Sequence, residues 1–390
     1  MTAPEDAATG IMPRSPASQA RQSIGAPIGR CRFAEPTLRA LRRGLKTLSR
    51  VPRELVFTVR AARLLRKGDL LVVAGGGQLD ETWGGPWRHP FALWRWTALA
   101  RLRGSRIAIA SVGWGKLDSA IGRCLAAGAL GRADYCSCRD AGSAANAAAI
   151  GMIDPGSVVP DIALALPLPA EHVQSAIRNV SRVGISPIAF ARQGTWPVAD
   201  AEVYSRYLEE LAAFVSSITA RGLPVLLFTT GQMDGVTVTE LVARVLQAPA
   251  TRSDLIEVAD TSTVGRLLDA LATCNLVVTS RLHGVILAHR LALPTLAISF
   301  DRKVEAHMSD VGQSALCVDI RCFDRDGLLA LFDALAARAG EVSDELREFL
   351  GRVERPLAQQ FDRLTELACA AGQAHKQVGL RPRSRRRKER

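Results

Sequence analysis

Arg281, His283, Arg302 and Lys303 are the residues of this chain whose types and spacing best suit chemistry on an anion. They fall within CNLVVTSRLHGVILAHRLALPTLAISFDRK, Cys274 to Lys303. An apolar run, Leu276 to Val278, stops at Thr279 and Ser280, and a helical pattern begins near Gly284. A second apolar run, Pro294 to Phe300, ends in Asp301, Arg302 and Lys303. Two parallel strands joined by a helix bring both polar clusters to the carboxyl edge of one sheet, where open α/β sheets bind ligands. Ser280 is placed to cap that helix, whose unsatisfied N–H groups favour a phosphate or carboxylate. Arg281 adds a planar fork for such anions, and His283 can donate a hydrogen bond or move a proton near neutral pH. A lone Arg paired with a structural carboxylate, or a His capping a carbonyl, is the plainer explanation. The two together at a strand end favour a site. Arg302 and Lys303 would complete a cationic pocket, with Asp301 orienting one of them.

Other candidates precede predicted turns. Gly75-Gly76-Gly77 follows the apolar run DLLVVA and lets a backbone or ligand approach closely. It is neither GxGxxG nor a P-loop, so no dinucleotide or nucleotide-phosphate fingerprint is present. Asp80 lies just beyond, where it can accept a hydrogen bond from a sugar hydroxyl. Four of the six tryptophans crowd residues 83–96. Trp94 and Trp96 are expected in the core, while Trp83 and Trp87, around Gly84-Gly85-Pro86, read as a ligand loop whose rings can stack on sugar C–H faces. Arg139-Asp140, Trp114 and Pro160-Asp161 also stand at predicted strand ends. HExxH, DxD and paired-His spacings are absent, and no GxSxG elbow occurs, so neither a metal site nor a serine hydrolase is expected.

The elements that must position these groups alternate regularly. Predicted strands at Asp69–Ala74, Arg106–Val112 and Ala133–Ser137 alternate with helices at Phe91–Leu102, Asp118–Leu130 and Ala141–Ile150. A second series begins at Val183, with strands at Val225–Thr229, Leu255–Val258 and the two runs above, and helices at Ala201–Arg221, Val236–Leu246 and Thr263–Cys274. This is the pattern of doubly wound α/β layers. The expected architecture is α/β, two Rossmann-like domains facing across a cleft. A segment 1–35 without apolar periodicity precedes an N-terminal domain, 36–175, on the acceptor side. A passage at Pro167–Arg182 leads to a C-terminal domain, 183–340. A last helix, 341–372, capped by Ser343, and a basic tail, 373–390, follow. Residues Pro36–Arg66 form a basic amphipathic pattern broken at Pro52.

The net charge of +12 on 390 residues is not that of a nucleic-acid binder. Ten Lys/Arg against three Asp/Glu in residues 1–53, and seven against one in residues 381–390, account for all of it. The near-neutral remainder offers no basic face. The basic ends suit contact with anionic lipid headgroups or simple solubility. Eight scattered cysteines with no CxxC point to buried, reduced thiols in a cytoplasmic protein. No signal peptide and no apolar run of bilayer length is visible.

GGGQLD, SVGWGKL, CRDAGS, the Pro160-Asp161 pair and SRLHGVILAHRLALPTLAISFDRKVEAHM, in this order, resemble the polysaccharide pyruvyl transferase family over roughly residues 68 to 319. The resemblance implies a GT-B-like arrangement and transfer of the enolpyruvyl unit of phosphoenolpyruvate onto sugar hydroxyls, usually as a pyruvate ketal. It implies no metal or other cofactor, phosphoenolpyruvate being the donor substrate. It also implies that Arg281 and His283 contact phosphoenolpyruvate, with a similar place for Arg139 and Lys303. On this basis His283 is the acid or phosphate ligand, and Asp80 or Asp161 orients or deprotonates the acceptor, a sugar or lipid-linked oligosaccharide. Residues 1–67 lack the glycine-rich loop with Asn and Gly-Asp found in many relatives. The alternatives are a GT-B glycosyltransferase using a nucleotide sugar and a non-catalytic carbohydrate-binding protein. The protein is expected in the cytoplasm, at or near the inner face of the membrane.

Overall fold

The computed structural model describes residues 51–151, 158–172, 177 and 179–379. The expected segment 1–35, most of the amphipathic pattern from Pro36, and the tail from residue 380 lie outside them. The chain forms two compact units, residues 1–58 and 59–390. Helix α1 (Val51–Leu64) starts in the first, with Pro52 in its opening turn, where a missing N–H costs nothing. Both sheets belong to the second unit.

The first sheet has three parallel strands in the order β1 (Leu70–Ala74), β2 (Arg106–Val112) and β3 (Tyr135–Cys138). They alternate with α2 (His89–Leu102), α3 (Ala120–Leu130) and α4 (Ala141–Ala149). Ile107, Ile109, Val112, Leu79 and Leu130 fill this core, with Trp94, Trp96 and Trp114 packed at its margin. The β2–β3 register shifts between Ile109 and Val112. Ser111 takes a left-handed φ of 51° there, held by its N–H to Ser137 Oγ at 2.7 Å and its own hydroxyl to the Pro160 carbonyl at 2.9 Å. Such irregularities re-aim the residues that follow, here Gly113-Trp114-Gly115.

The second sheet is β6-β5-β4-β7-β8-β9, all parallel, with β4 (Val183–Ser186), β5 (Val225–Leu227), β6 (Ile256–Val258), β7 (Leu276–Thr279), β8 (Thr295–Ser299) and β9 (Cys317–Asp319). Counted from β4, this is the doubly wound order that reverses direction between the first and fourth strands. β4, β7 and β8 are buried at every residue, which explains their unbroken apolar sequence. The connecting helices are α5 (Ala201–Ala220), α6 (Gly235–Val245), α7 (Val264–Ala272), α8 (Leu282–Arg290), α9 (Arg302–Asp310) and α10 (Arg325–Ala337).

The chain passes between domains through a 3-10 turn, Ile162–Ala165, whose Leu164 already packs in the second core. It returns through α11 (Ala339–Gly379), a helix of 41 residues containing Pro356. Val342, Leu346, Phe349, Val353 and Leu357 line the second core at helical spacing. One turn later Gln360, 2% exposed, reaches the first domain. Its amide donates to Ser111 Oγ at 3.0 Å, and its carbonyl accepts from Tyr135 at 3.1 Å. Ser343 is not the cap expected from sequence. It lies inside α11, fully buried, and donates to the Ala292 carbonyl at 2.8 Å. The cysteines are not uniformly buried either, since Cys124, Cys322 and Cys369 are exposed. No helix among the described residues is long and apolar enough to cross a membrane.

Candidate active site

The switch point of the second sheet lies where Ser186 of β4 pairs with Thr279 of β7. Ser280, expected as the helix cap, is turned away from α8. Its hydroxyl lies 3.0 Å from the Tyr207 hydroxyl, which also accepts the Ile188 N–H at 3.1 Å. Burial pushes the Tyr207 phenol well above its ordinary value, so it remains a neutral partner for Ser280. Arg281 becomes the N-cap residue and supplies no side-chain acceptor. The first turn of α8 therefore keeps its positive end for another acceptor. Gly284 in that turn is forced, because a Cβ there would lie 2.3 Å from Thr279 Oγ1.

Arg281 does not stand free. Its Nε and Nη2 donate to Asp234 Oδ2 and Oδ1 at 2.6 and 2.8 Å. Asp234 is fully buried and also accepts the Ala189 N–H at 3.1 Å. Nη1 of Arg281 bonds to none of the described residues and remains available. His283 is exposed on the first turn of α8, and no described residue hydrogen-bonds its ring. Arg302 is also exposed, but it lines a separate surface groove with Glu305, Ser309 and Asp319. The four cations expected to converge thus divide.

Lys303 reaches across to the first domain. Asp301 caps α9 by accepting the Lys303 N–H at 3.1 Å, and the Lys303 side chain extends from that turn to Asp80. Its Nζ lies 2.8 Å from Asp80 Oδ2 and 3.6 Å from Asp301 Oδ2. Burial alone would raise the Asp80 carboxyl, but hydrogen bonds from Lys303 and Thr82 outweigh it and hold the group below the usual carboxylate range. Three glycines make room for this cluster. A Cβ on Gly77 would sit 3.2 Å from Lys303 Nζ, one on Gly115 2.2 Å from Asp80 Oδ2, and one on Gly113 2.4 Å from Arg139 Nη2. Gly75 and Gly76 hold φ of 58° and 78°, a conformation that L side chains avoid.

Arg139, 9% exposed, directs Nη1 to Asp161 Oδ2 at 3.2 Å, with Asp140 Oδ2 3.8 Å from its Nε. Asp140 caps α4 through the Ser143 N–H. Asp161, 3% exposed, accepts the Ala163 N–H with its other oxygen. Arg139 Nη2 is buried and has no partner among the described residues. Arg139, Asp161, Lys303, His307, Asp310 and Phe349 surround a cavity of about 270 Å³ between the domains.

The aromatic loop also meets the second domain. Trp83 packs edge-on against Trp196 at 5.2 Å, and Trp196 contacts Phe190 and Phe300. Trp87 is 64% exposed beside Phe91. Asp234, His289 and His307 were not singled out by sequence. Asp234 has no local signature, but His307 follows Lys303 by one helical turn, a spacing that places both on one face. Burial pulls His307 down to about 4, opposed by Asp161 and reinforced by Arg139.

Among the described residues no group of three or more His, Cys, Asp or Glu is arranged to hold a metal ion. The structure is similar to that of S. aureus MnaA with UDP, with TM-score 0.50 and 11% identity over 74% of this chain and 76% of the other. A putative UDP-N-acetylglucosamine 2-epimerase from Listeria monocytogenes aligns with TM-score 0.47 and 12% identity over 77% of this chain and 80% of the other. At such identity the MnaA likeness concerns the fold, two Rossmann-like domains in a GT-B-like arrangement. A comparison with curated protein sequences finds none that matches. The profile of one family, polysaccharide pyruvyl transferase, matches residues 30–302, more than half of the chain. With the SRLHG turn at the switch point and the DRK turn at the domain cleft, the chain belongs to the polysaccharide pyruvyl transferase family.

Proposed function

We propose that this protein transfers the enolpyruvyl unit of phosphoenolpyruvate onto hydroxyls of a sugar in a cell-surface or exopolysaccharide repeat unit, closing a pyruvate ketal without a metal. The observation that carries the reading is the interdomain cavity with Arg139 and Lys303 on its wall and a guanidinium nitrogen of Arg139 that has no partner among the described residues. Phosphoenolpyruvate is a small molecule with two anionic groups, and charge-assisted bonds to guanidinium and ammonium suit both. One anionic group takes the place beside Arg139 and Lys303. The other faces the first turn of α8, where His283 and Nη1 of Arg281 are available. α8 and α9 follow the paired parallel strands β7 and β8, so both helices open at the same edge of the sheet.

Asp80 and Asp161 are the candidates to orient or deprotonate the acceptor hydroxyl, each within its cation's reach. Trp87 on the loop beyond Asp80 offers an exposed ring face to a sugar. The positive charge of residues 1–53 and 381–390 suits an enzyme working on a lipid-linked acceptor at the cytoplasmic face of a membrane.

The test is a thermal shift with phosphoenolpyruvate on the wild type and on Arg139→Ala, followed by phosphate release with candidate acceptors. A ligand at 100 times its Kd stabilises by about 2.7 kcal/mol. A shift present in the wild type and lost in the variant supports the donor assignment. A shift from UDP or GDP instead favours a glycosyltransferase. Sugar binding with no phosphate release favours a binding protein.

A further inference from the structure

His289 on α8 and His307 on α9 form a buried pair that the reading above does not use. Their rings stack with centroids 5.1 Å apart and an interplanar angle of 28°, and His289 Nδ1 lies 3.0 Å from His307 Nε2. His289 has no exposure, and its Nε2 has no partner among the described residues. His307 lines the interdomain cavity. With Nε2 engaged by His289, the other nitrogen of His307 is the one left to act on a ligand.

Several elements bring charged groups to His307. Its own helix supplies Lys303 and Asp310, the first domain supplies Arg139, Asp140 and Asp161, and α8 supplies His289. From α11, Phe349 and Pro356 are the described residues that reach the cavity, and the Phe349 ring stands edge-on to His307 at 6.4 Å. Burial and Arg139 keep the imidazole neutral at neutral pH. An anion beside Arg139 and Lys303 adds negative charge next to that ring, which favours its protonated form. The site thus couples anion entry to the loading of a proton.

We propose that His307 is the proton donor to the methylene carbon of bound phosphoenolpyruvate, with His289 as the positioning residue that fixes its ring. The inference rests on the donor reading given above. The proton leaves His307 as the C2=C3 electron pair forms the new C–H bond. C2 then accepts the oxygen of one sugar hydroxyl, whose proton passes to a carboxylate of the site. The second hydroxyl oxygen displaces phosphate, which departs with the C–O electron pair and takes that hydroxyl's proton. The carboxylate then returns its proton to His307, which resets both groups, so the two hydroxyl protons balance those gained by the methyl group and by hydrogen phosphate, and no other reactant is needed.

The experiment is calorimetric titration of phosphoenolpyruvate into the full-length wild type, His307→Gln and His289→Leu, in buffers of different ionisation enthalpy at pH 7. The expected result is proton uptake by the wild type that disappears in His307→Gln, while that variant still binds within about tenfold. Turnover in His307→Gln falls by roughly 10²–10⁴-fold, the usual worth of a positioned acid. His289→Leu keeps KM but lowers kcat. Equal proton linkage in wild type and His307→Gln overturns the assignment and leaves the donor reading intact. No binding of phosphoenolpyruvate by the wild type sinks both. Ring-nitrogen NMR of the histidine-labelled wild type needs no variant: one imidazole must turn to imidazolium on adding phosphoenolpyruvate, and no such change refutes the proposal.

Discussion

Lys303 Nζ lies 2.8 Å from Asp80 Oδ2, joining residues 223 positions apart on opposite domains. The ammonium is mostly buried, with 17% of its side chain exposed, so this pair is screened less than a surface ion pair. A second contact across the cleft, Trp83 on Trp196, lies in the loop that follows Asp80. Lys303→Ala should loosen both. The expected readouts are a red shift of tryptophan emission and weaker phosphoenolpyruvate binding. Unchanged emission would mean that the aromatic contact holds without the ion pair.

The same pair sets a pH dependence. The Asp80 carboxyl lies below its ordinary 3.8 in the folded protein. A depressed carboxylate contributes stability that is present above the unfolded value and lost as pH falls through the folded one. The stability difference between wild type and Asp80→Asn should therefore be fullest above about pH 4 and shrink on further acidification. Urea unfolding at a series of pH values measures it, and a difference that grows towards acid would contradict the assignment.

Arg281→Ala should cost stability as well as function. Asp234 is fully buried, and removing its bidentate partner leaves an uncompensated carboxylate. Breaking such a pair costs roughly 3–5 kcal/mol. Arg281→Lys keeps the charge but loses the fork and should be destabilised less. Urea midpoints rank the three proteins. A loss of phosphoenolpyruvate binding in Arg281→Ala is informative only at temperatures where that variant is folded.

Gly113→Ala and Gly115→Ala should do the reverse. The new methyl group at 113 meets the far end of Arg139, whereas the one at 115 meets the whole short Asp80 side chain, its Cβ included at 2.9 Å. The Arg139 end moves more easily than backbone, so the stability cost of Gly113→Ala should stay near the lower end of the roughly 1–3 kcal/mol typical of overpacking, with Gly115→Ala nearer the upper end. The displaced guanidinium and carboxylate should lower phosphoenolpyruvate affinity or turnover by tenfold or more, about 1.4 kcal/mol. Normal turnover in both variants would remove Arg139 and Asp80 from the site.

Gln360 offers a test of the returning helix. Its amide is buried among Ser111, Ser137 and Tyr135. Gln360→Leu takes the acceptor from the Ser137 and Tyr135 hydroxyls, at about 1–3 kcal/mol, while Ser111 keeps its bond to the Pro160 carbonyl. Because Ser111 precedes the Gly113 turn, the variant should also lower phosphoenolpyruvate affinity. An effect on stability alone would confine Gln360 to holding the domains together.

The elements were legible because parallel strands buried on both faces are written as unbroken apolar runs, and their ends are marked by Gly, Ser and Asp. Arg106–Val112 is the same strand in sequence and structure. The strand–helix–strand unit carrying Arg281, His283 and Lys303 could be read for the same reason, with β7 and β8 pairing in parallel. Ser280 and Ser343 misled because a serine before or within an apolar pattern signals a cap only when its hydroxyl has no better partner. Tyr207 and the Ala292 carbonyl, both remote in sequence, were better partners.

The sequence by itself determined the local vocabulary: which residues end strands, which turns need glycine, and which family the motifs belong to. Only the tertiary structure decided which charges meet. Arg281 went to a buried Asp234, Arg302 to an outer groove, and Lys303 across the cleft to Asp80. Periodicity fixes the face on which a side chain emerges, but pairing depends on how two sheets and a returning helix stack. That arrangement is set by burial summed over the whole core, and no single segment encodes it.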